Sequence, residues 1–404
     1  MRHRRRTFFS ALTIASGMLL FITMDSMLAG MDRGAIDNMI ALTSAALRIR
    51  TPEYAAEQDA LPLDYGHKNV AEITSFLKNR PQVKGVAPRT RFIGQLSVEG
   101  DLKPVVGTVI DPAADSTVFS LVESIEGTYF TADNGHEIIL GKKLADNIGV
   151  AVGGWITLYA QTRYEAHNAD DFRVVGLLNT SDPVLNSSGV FMSYAAADTF
   201  LDLGGIVTDI MVGLHPRVNL HDFLRDAKTV KAEVKRQWPS LMVETCHEQE
   251  AGFFEISKTK RSFGMVYLVV LLLIAAVGIF NTVLMSVYER IRECGVLRSF
   301  GLRRGELTRL FLYEGFLTGI IGTTFGIIAS LCSNLLLVTR GFPLDKMAGE
   351  AMGDFPVWGV VYGQWNLGMW VTISLFSIGI ATLAGLIPAR KAGAMEITAT
   401  LRFV

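Results

Sequence analysis

Cysteine is scarce in this chain and charge is thin. Three cysteines stand among 404 residues, Cys246, Cys294 and Cys332. They form no CxxC pair, which excludes a disulfide-built scaffold and a zinc or thioredoxin-type site. All three read as small buried hydrophobes. Charged residues make up 19%, against ~25% in ordinary soluble domains. Positive and negative charges nearly cancel, to a net −1, so no global field points to nucleic acid. Catalytic signatures are missing too, with no HExxH and no GxSxG. GHEIILGKKLA has the outline of a phosphate-binding loop. Five residues stand between its glycines, however, where the pattern has four, and Lys143 stands where Ser or Thr is required. The compact polar clusters are Asp170-Asp171 beside His167, and Cys246-His247-Glu248. Both read as solvated loop residues, so no catalytic site and no metal site is expected.

What the chain does have is apolar residues, 50% of the total, gathered into blocks. A membrane span needs ~20 mostly apolar residues to cross a ~30 Å hydrocarbon core. Four runs qualify: 8–28, 264–288, about 310–338 and about 367–387. Trp365 and Trp370 open the last run, as interfacial aromatics do. The first run has an alternative reading as a leader cleaved near Leu28-Ala29-Gly30. Its apolar core is longer than a leader needs. Basic residues set the direction. MRHRRR opens the chain, and Arg290, Arg292, Arg298, Arg303, Arg304 and Arg309 follow the second run. Arg390, Lys391 and Arg402 follow the fourth, while only Arg340 and Lys346 separate the third from the fourth. Both termini and the 289–309 loop are therefore expected inside, with residues 31–262 outside.

Residues 31–262 alternate short apolar runs with helical patterns. Strand, helix and strand are expected over 45–49, 69–79 and 83–92, and again over 209–214, 220–237 and 241–245. Asn69 and Asn219 are cap-type residues at the two helix starts. Between these units lie strand-like runs at 92–97, 105–110, 137–140, 155–159, 172–178 and 189–192, with a short helix over 144–148 stopped by Gly149. The expected fold is a membrane α-helical protein with four transmembrane helices and a large α+β extracytoplasmic domain inserted between helices 1 and 2. Its parts are 1–30, 31–262 and 263–404, with βαβ units at about 45–100 and 205–250 around a β-rich lobe at about 100–205.

The inner loop carries both signs of charge. ERIRECGVLRSFG, residues 289–301, reads as a short amphipathic helix with Ile291 and Cys294 on one stripe, continued by Leu297 or Arg298. Glu289, Glu293 and Glu306 interleave with the arginines, which suits a protein surface better than a lipid anchor. In the third run Gly315, Gly319, Gly322 and Gly326 form a close-packing face. Asn281 lies inside the second run and should bond another helix. Asp25, near the outer end of the first, should face water or a gap between helices. Met18, Met24, Met27, Met31 and Met39 make a flexible apolar stripe. It is read first as core, and second as an adaptable lining for an apolar cargo.

NTVLMSVYERIRECGVLRSFGLRRGELTRLFLYEGFLTGIIGTTFGI, residues 281–327, resembles the membrane core of FtsX/MacB-type permeases of ABC transporters. GLIPARKAGAMEITATLR, residues 385–402, is similar to that family's C-terminal signature, with Ile397 where the family often has Pro. The outer domain looks most like the lipoprotein-releasing LolC/LolE branch, through VVGTVIDPAAD (105–115), EGTYF (126–130), EIILGKKLADNIGVAVGGWITLY (137–159) and FRVVGLLNTS (172–181).

The resemblance implies an inner-membrane, non-enzymatic permease subunit without a cofactor of its own. ATP and Mg would belong to a separate ATPase, a dimer, touching Glu289, Arg290, Arg292, Glu293, Gly295, Arg298 and Gly301. It further implies a second permease copy or a sister permease, a lipoprotein cargo with a soluble carrier, contact with membrane lipid, and no nucleic acid. Met24, Met27, Met31, Phe263, Val266 and Tyr267 are the candidate cargo contacts. The alternatives within the family are a MacB-type tripartite efflux or peptide-export permease, and a transmembrane regulator of a cell-wall hydrolase.

Overall fold

A computed structural model describes residues 2–67, 69–98, 101–130, 136–217, 219–343 and 360–394. Lys346 and positions 395–402 of the C-terminal signature lie outside the described residues. The chain forms two compact units. One is residues 1–33, 256–347 and 359–404, and the other residues 34–255 with 348–358.

The second unit begins with β1 (Leu47–Arg50), α2 (Pro52–Ala56) and α3 (Val70–Lys78); α1 (Arg2–Met39) precedes them. Then come β2 (Val83–Val98), β3 (Asp101–Ile110), α4 (Pro112–Val118), β4 (Ile125–Gly127), β5 (Glu137–Gly141) and α5 (Lys142–Ile148). β6 (Trp155–Gln161), β7 (His167–Leu178), α6 (Pro183–Ser188), β8 (Gly189–Ser193) and α7 (Tyr194–Leu201) follow. β9 (Asp209–Leu214), α8 (Leu220–Gln237), β10 (Met242–Thr245) and α9 (Cys246–Gln249) complete it.

Four strands lie in the order β10-β1-β9-β2, every neighbour antiparallel. Each strand–helix–strand unit is therefore split, with a strand of the other between its own two. This is the interleaved βαββαβ arrangement. α8 carries Phe223, Ala227, Val230 and Val234 along one stripe, and these pack with Ile73 and Leu77 of α3 on Leu47, Ile49 and Val243 of the sheet. Asn69 and Asn219 precede their helices but make no side-chain capping bond to them.

The β-rich lobe grows out of β2 itself. From Val83 to Arg89 this strand pairs with β9, and from Arg89 onward with β3. β3, β8, β5, β7 and β6 continue from it in turn, and β6 returns to β2, closing a six-stranded ring. Closure leaves no open edge inside the ring. Its interior holds Phe92, Leu96, Val105, Val109, Ile138, Leu140, Leu158, Phe172 and Val174. Gly107 stands opposite Phe92 in the ladder, and a Cβ there would occupy the place of the Phe92 ring.

In the other unit, α1 is followed after the domain by α10 (Ala251–Glu289), α11 (Ile291–Ser299), α12 (Arg304–Arg340), α13 (Leu367–Ala384) and α14 (Leu386–Ala394). Among the described residues three segments are long and apolar enough to cross a membrane: Phe8–Ser44, Arg304–Arg340 and Leu367–Lys391. The run 264–288 lies within α10. The glycines of α12 serve two neighbours. A Cβ on Gly315 would meet Ala381 O of α13 at 3.0 Å, and one on Gly319 would meet Ile378 Cα at 3.3 Å. Gly322 faces Ala11 O of α1 at 3.0 Å, and Gly326 faces Ala15 Cα at 3.2 Å. Absent side chains let these backbones approach. Thr23 and Ser333 share a 3.0 Å hydrogen bond, and Ser26 donates to Asn334, so polar groups join α1 to α12 as well. Asn281 is exposed on α10 with no hydrogen bond among the described residues.

Candidate functional site

Two places in the helical unit bring chemistry-bearing residues together. The first is a cleft of about 330 Å³ between α1, α10 and the start of α13. Phe21, Met24, Leu28 and Ala29 of α1 face Phe263, Gly264 and Tyr267 of α10, and Met369 of α13 closes one side. The spacing 21, 24, 28 puts one face of α1 on the cleft. The lining is apolar except for Asp25, Asp32, Lys260 and Asn366. Asn366 caps α13, its side chain accepting from Met369 N at 3.3 Å while its amide donates to Asp25 at 3.3 Å. Asp32 is buried, accepts from Ser257 and lies 3.6 Å from Lys260 Nζ, so a charged link joins α1 to α10.

Of the candidate cargo contacts, Met24, Phe263 and Tyr267 line this cleft. Met27, Met31 and Val266 do not, Met31 being buried and Val266 exposed on α10. Met18 is core, packed with Ile14, Phe21 and Ile22. Asp25 faces the cleft. Sequence reasoning missed Asn366 and Met369, which reach α1 from more than 300 residues away and leave no local signal.

The second place is the elbow formed by α11. Cys294 packs with Val287, Leu307, Phe311 and Ala389, bracing α11 against α10, α12 and α14. Burial pushes the Cys294 thiol up, with Glu293 adding to the shift, which marks a packing cysteine and not a nucleophile. Gly295 is buried beside it, whereas Glu289, Arg292 and Glu293 are exposed and Arg298 is half-buried. Arg290 precedes α11 and lies 4.0 Å from Glu314, a partly exposed pair worth ~0–1 kcal/mol. Gly301 ends the elbow with φ at +99°, a conformation side chains rarely adopt. Phe300 is 86% exposed, and Val296 and Leu297 are also exposed. Leu297 therefore lies off the buried stripe. This apolar outer face, ringed by Arg292, Glu293 and Arg298, was not anticipated from charge alone.

The polar clusters of the domain have structural partners. His167, Asp170 and Asp171 lie on strand β7 and not on a loop. Asp171 accepts from Thr157 at 2.6 Å, and Asp170 lies 3.4 Å from His136. Cys246 is buried, its thiol pushed up to about 11 by burial. Glu248 completes a capping box with Thr245 and binds Lys231 at 2.6 Å. This trio too is ordered in a helix, α9, where a loop was expected. Among the described residues no group of three or more His, Cys, Asp or Glu is placed to hold a metal.

A helical unit with membrane-length apolar helices and a braced elbow, joined in one chain to a domain of split βαββαβ sheet and closed ring, is the build of a membrane permease. Residues 265–397 match the FtsX-like permease C-terminal domain, and residues 7–230, more than half of the chain, match the MacB-like periplasmic core domain. The chain belongs to the FtsX/MacB-type family of ABC transporter permeases and is a transporter subunit, not an enzyme. Lipoprotein-releasing system transmembrane protein LolE of Haemophilus influenzae is 22% identical over 400 residues, 96% of this chain and 92% of the relative. LolC of Xylella fastidiosa is 24% identical over 426 residues, 100% of this chain and 97% of the relative. The macrolide export ATP-binding/permease protein MacB of Escherichia coli is 25% identical over 286 residues, 68% of this chain and 40% of that protein. The crystal structure of the periplasmic region of MacB from Actinobacillus actinomycetemcomitans is 14% identical with a TM-score of 0.36. It covers 54% of this chain and 96% of that one.

Proposed function

We propose that this chain is the permease of an ABC exporter that extracts lipoproteins from the inner membrane, driven by ATP hydrolysis in a separate ATPase. The observation that carries the reading is the apolar cleft. It is large enough to enclose part of an acyl chain, it has thioether and aromatic walls that adapt to a flexible ligand, and its rim is polar. α1 and α10, which form it, are continuous in sequence with the two ends of the outer domain. Near end-to-end similarity to LolE and LolC supports the same cargo class.

In this reading α10 is a fourth span and both termini lie in the cytoplasm. The ATPase docks on α11 through Phe300, Val296 and Leu297, with Arg292, Glu293 and Arg298 setting register. A second permease covers the outward face of α10 and gives Asn281 its hydrogen-bond partner. A MacB-type exporter is the second reading, favoured by the match to the periplasmic core domain. In that case an adaptor and not a lipoprotein carrier would meet the outer domain.

The cleft tests the cargo. Met24→Asp places a carboxylate in the apolar wall, and release of an acylated protein from proteoliposomes is expected to fall at least tenfold while the ATPase still co-purifies. Unchanged release by a correctly inserted Met24→Asp protein would overturn the cleft as the cargo path. Crosslinks from the outer domain to an adaptor, with none to a carrier, would favour the second reading.

A further inference from the structure

The chain reaches the domain and leaves it through two neighbouring strands. β1 follows α1 after residues 40–46, and β10 precedes α10 by residues 246–250. The strands are antiparallel, and their register runs from Leu47 opposite Thr245 to Arg50 opposite Met242. Leu47 and Thr245 are the ends nearest the two helices in sequence, so any separation of α1 from α10 loads the ladder from that end. Loaded this way, an antiparallel pair opens one hydrogen-bonded step at a time, and each step is individually weak. Among the described residues β10 is also the outermost strand of the sheet, and β1 is the strand that pairs with it.

Glu244 stands one step in from the loaded end. It lies directly opposite Arg48, and its Oε2 accepts from Arg48 Nη2 at 3.1 Å and also from Arg50 Nη2. Arg50 is anchored in turn to Gln58 Oε1 at 2.9 Å, and its side chain is only 3% exposed. A guanidinium buried so deeply has no water to replace the carboxylate, so the link resists opening far more than a surface ion pair would. Beyond it, Thr245 and Glu248 form the capping box, and Glu248 ties α9 to Lys231 of α8. The polypeptide leading to α10 is thus pinned on two sides.

We propose that Glu244 is a positioning residue that locks β1 to β10, so that movement of the two attached helices moves the domain as one body instead of peeling β10 from its sheet. The inference rests on the reading of the chain as an ATP-driven exporter of acylated proteins.

The test uses the full chain with its ATPase in proteoliposomes loaded with an acylated protein. Glu244→Gln keeps the shape of the side chain and removes its charge. Acylated protein released per ATP hydrolysed is expected to fall at least fivefold, with ATP hydrolysis within twofold of the wild type. Amide hydrogen exchange over residues 242–245 should rise at rest, because the ladder opens more easily, and rise several-fold further during turnover. A merely structural role would raise it equally in both states, and that result overturns the proposal. So does wild-type release per ATP in the Glu244→Gln protein. Ile49→Cys with Val243→Cys, directly opposite in the same ladder, should restore release when oxidised and lose it again in reductant. Failure of this crosslink to rescue also overturns the proposal, and the oxidised triple variant keeps the test open if Glu244→Gln alone does not fold. Should the wild type hydrolyse ATP and release no acylated protein, the functional reading fails while the exchange measurement still judges Glu244.

Discussion

His67 lies buried where the loop before α3 bridges to Val207. Burial lowers its pKa below the ordinary 6.5, more than the backbone bond at Ile49 and the charge of Asp209 raise it. The unfolded chain therefore binds a proton that the folded chain resists. The stability His67 supports is complete above about pH 6.5 and is lost as pH falls toward its folded value. The full chain in detergent should melt at a lower temperature at pH 5 than at pH 7, and His67→Gln should flatten part of that dependence. An unchanged slope in the variant would remove His67 as the cause. Glu250 works in the opposite direction, since burial raises its carboxyl, so its neutral form fits better as pH falls. Arg89 and Asp115 show what this domain tolerates when charge is fully matched. The guanidinium meets the carboxylate at 2.7 and 3.0 Å with both groups buried, and it stacks on Phe119 at 3.3 Å. Removing one partner of such a pair typically costs ~3–5 kcal/mol.

At the scale of elements, the elbow shows which features of a segment can be read from its letters. The interleaved Glu and Arg of residues 289–309 and the short helix length were legible, because charge spacing and glycine punctuation are local. Which side of α11 faces inward was only half legible. Cys294 lies on the buried stripe as expected, and of the two residues that could continue it Leu297 is exposed and Arg298 half-buried. Glu293→Arg combined with Arg298→Glu inverts the charges around Phe300 and leaves the Cys294 packing untouched. Stimulation of the ATPase is expected to fall at least fivefold while the protein still inserts and the domain stays folded. Wild-type stimulation by the inserted double variant would remove α11 as the contact. Short helices of one or two turns carry little periodicity to read. Asp111-Pro112 and Asp182-Pro183 each cap and open a helix, with the aspartate accepting from the next turn's amides. Both signals are local and stand in the sequence, close behind strand-like runs that mask them.

At the scale of the whole molecule, the basic flanks predict one topology. Cysteine-accessibility labelling should place residue 295 on one side of the bilayer and residue 165 of the domain on the other. Finding both on the same side would collapse the account of force passing from a cytosolic ATPase to an extracytoplasmic domain. The amino-acid order by itself determined the apolar runs, the direction they favour, the helix stripes at 220–237 and 69–79, and the family. Each of these depends on periodicity or charge within a few turns of chain. Tertiary structure alone decided that β2 serves both sheet and ring, that β6 closes the ring, and that Gly315, Gly319, Gly322 and Gly326 of α12 divide between α13 and α1. It also brought Asn366 and Met369 to the α1 cleft and set Glu244 against two arginines nearly two hundred residues away. Such pairings depend on which distant surfaces bury each other, and no local pattern encodes a partner that arrives from elsewhere in the fold.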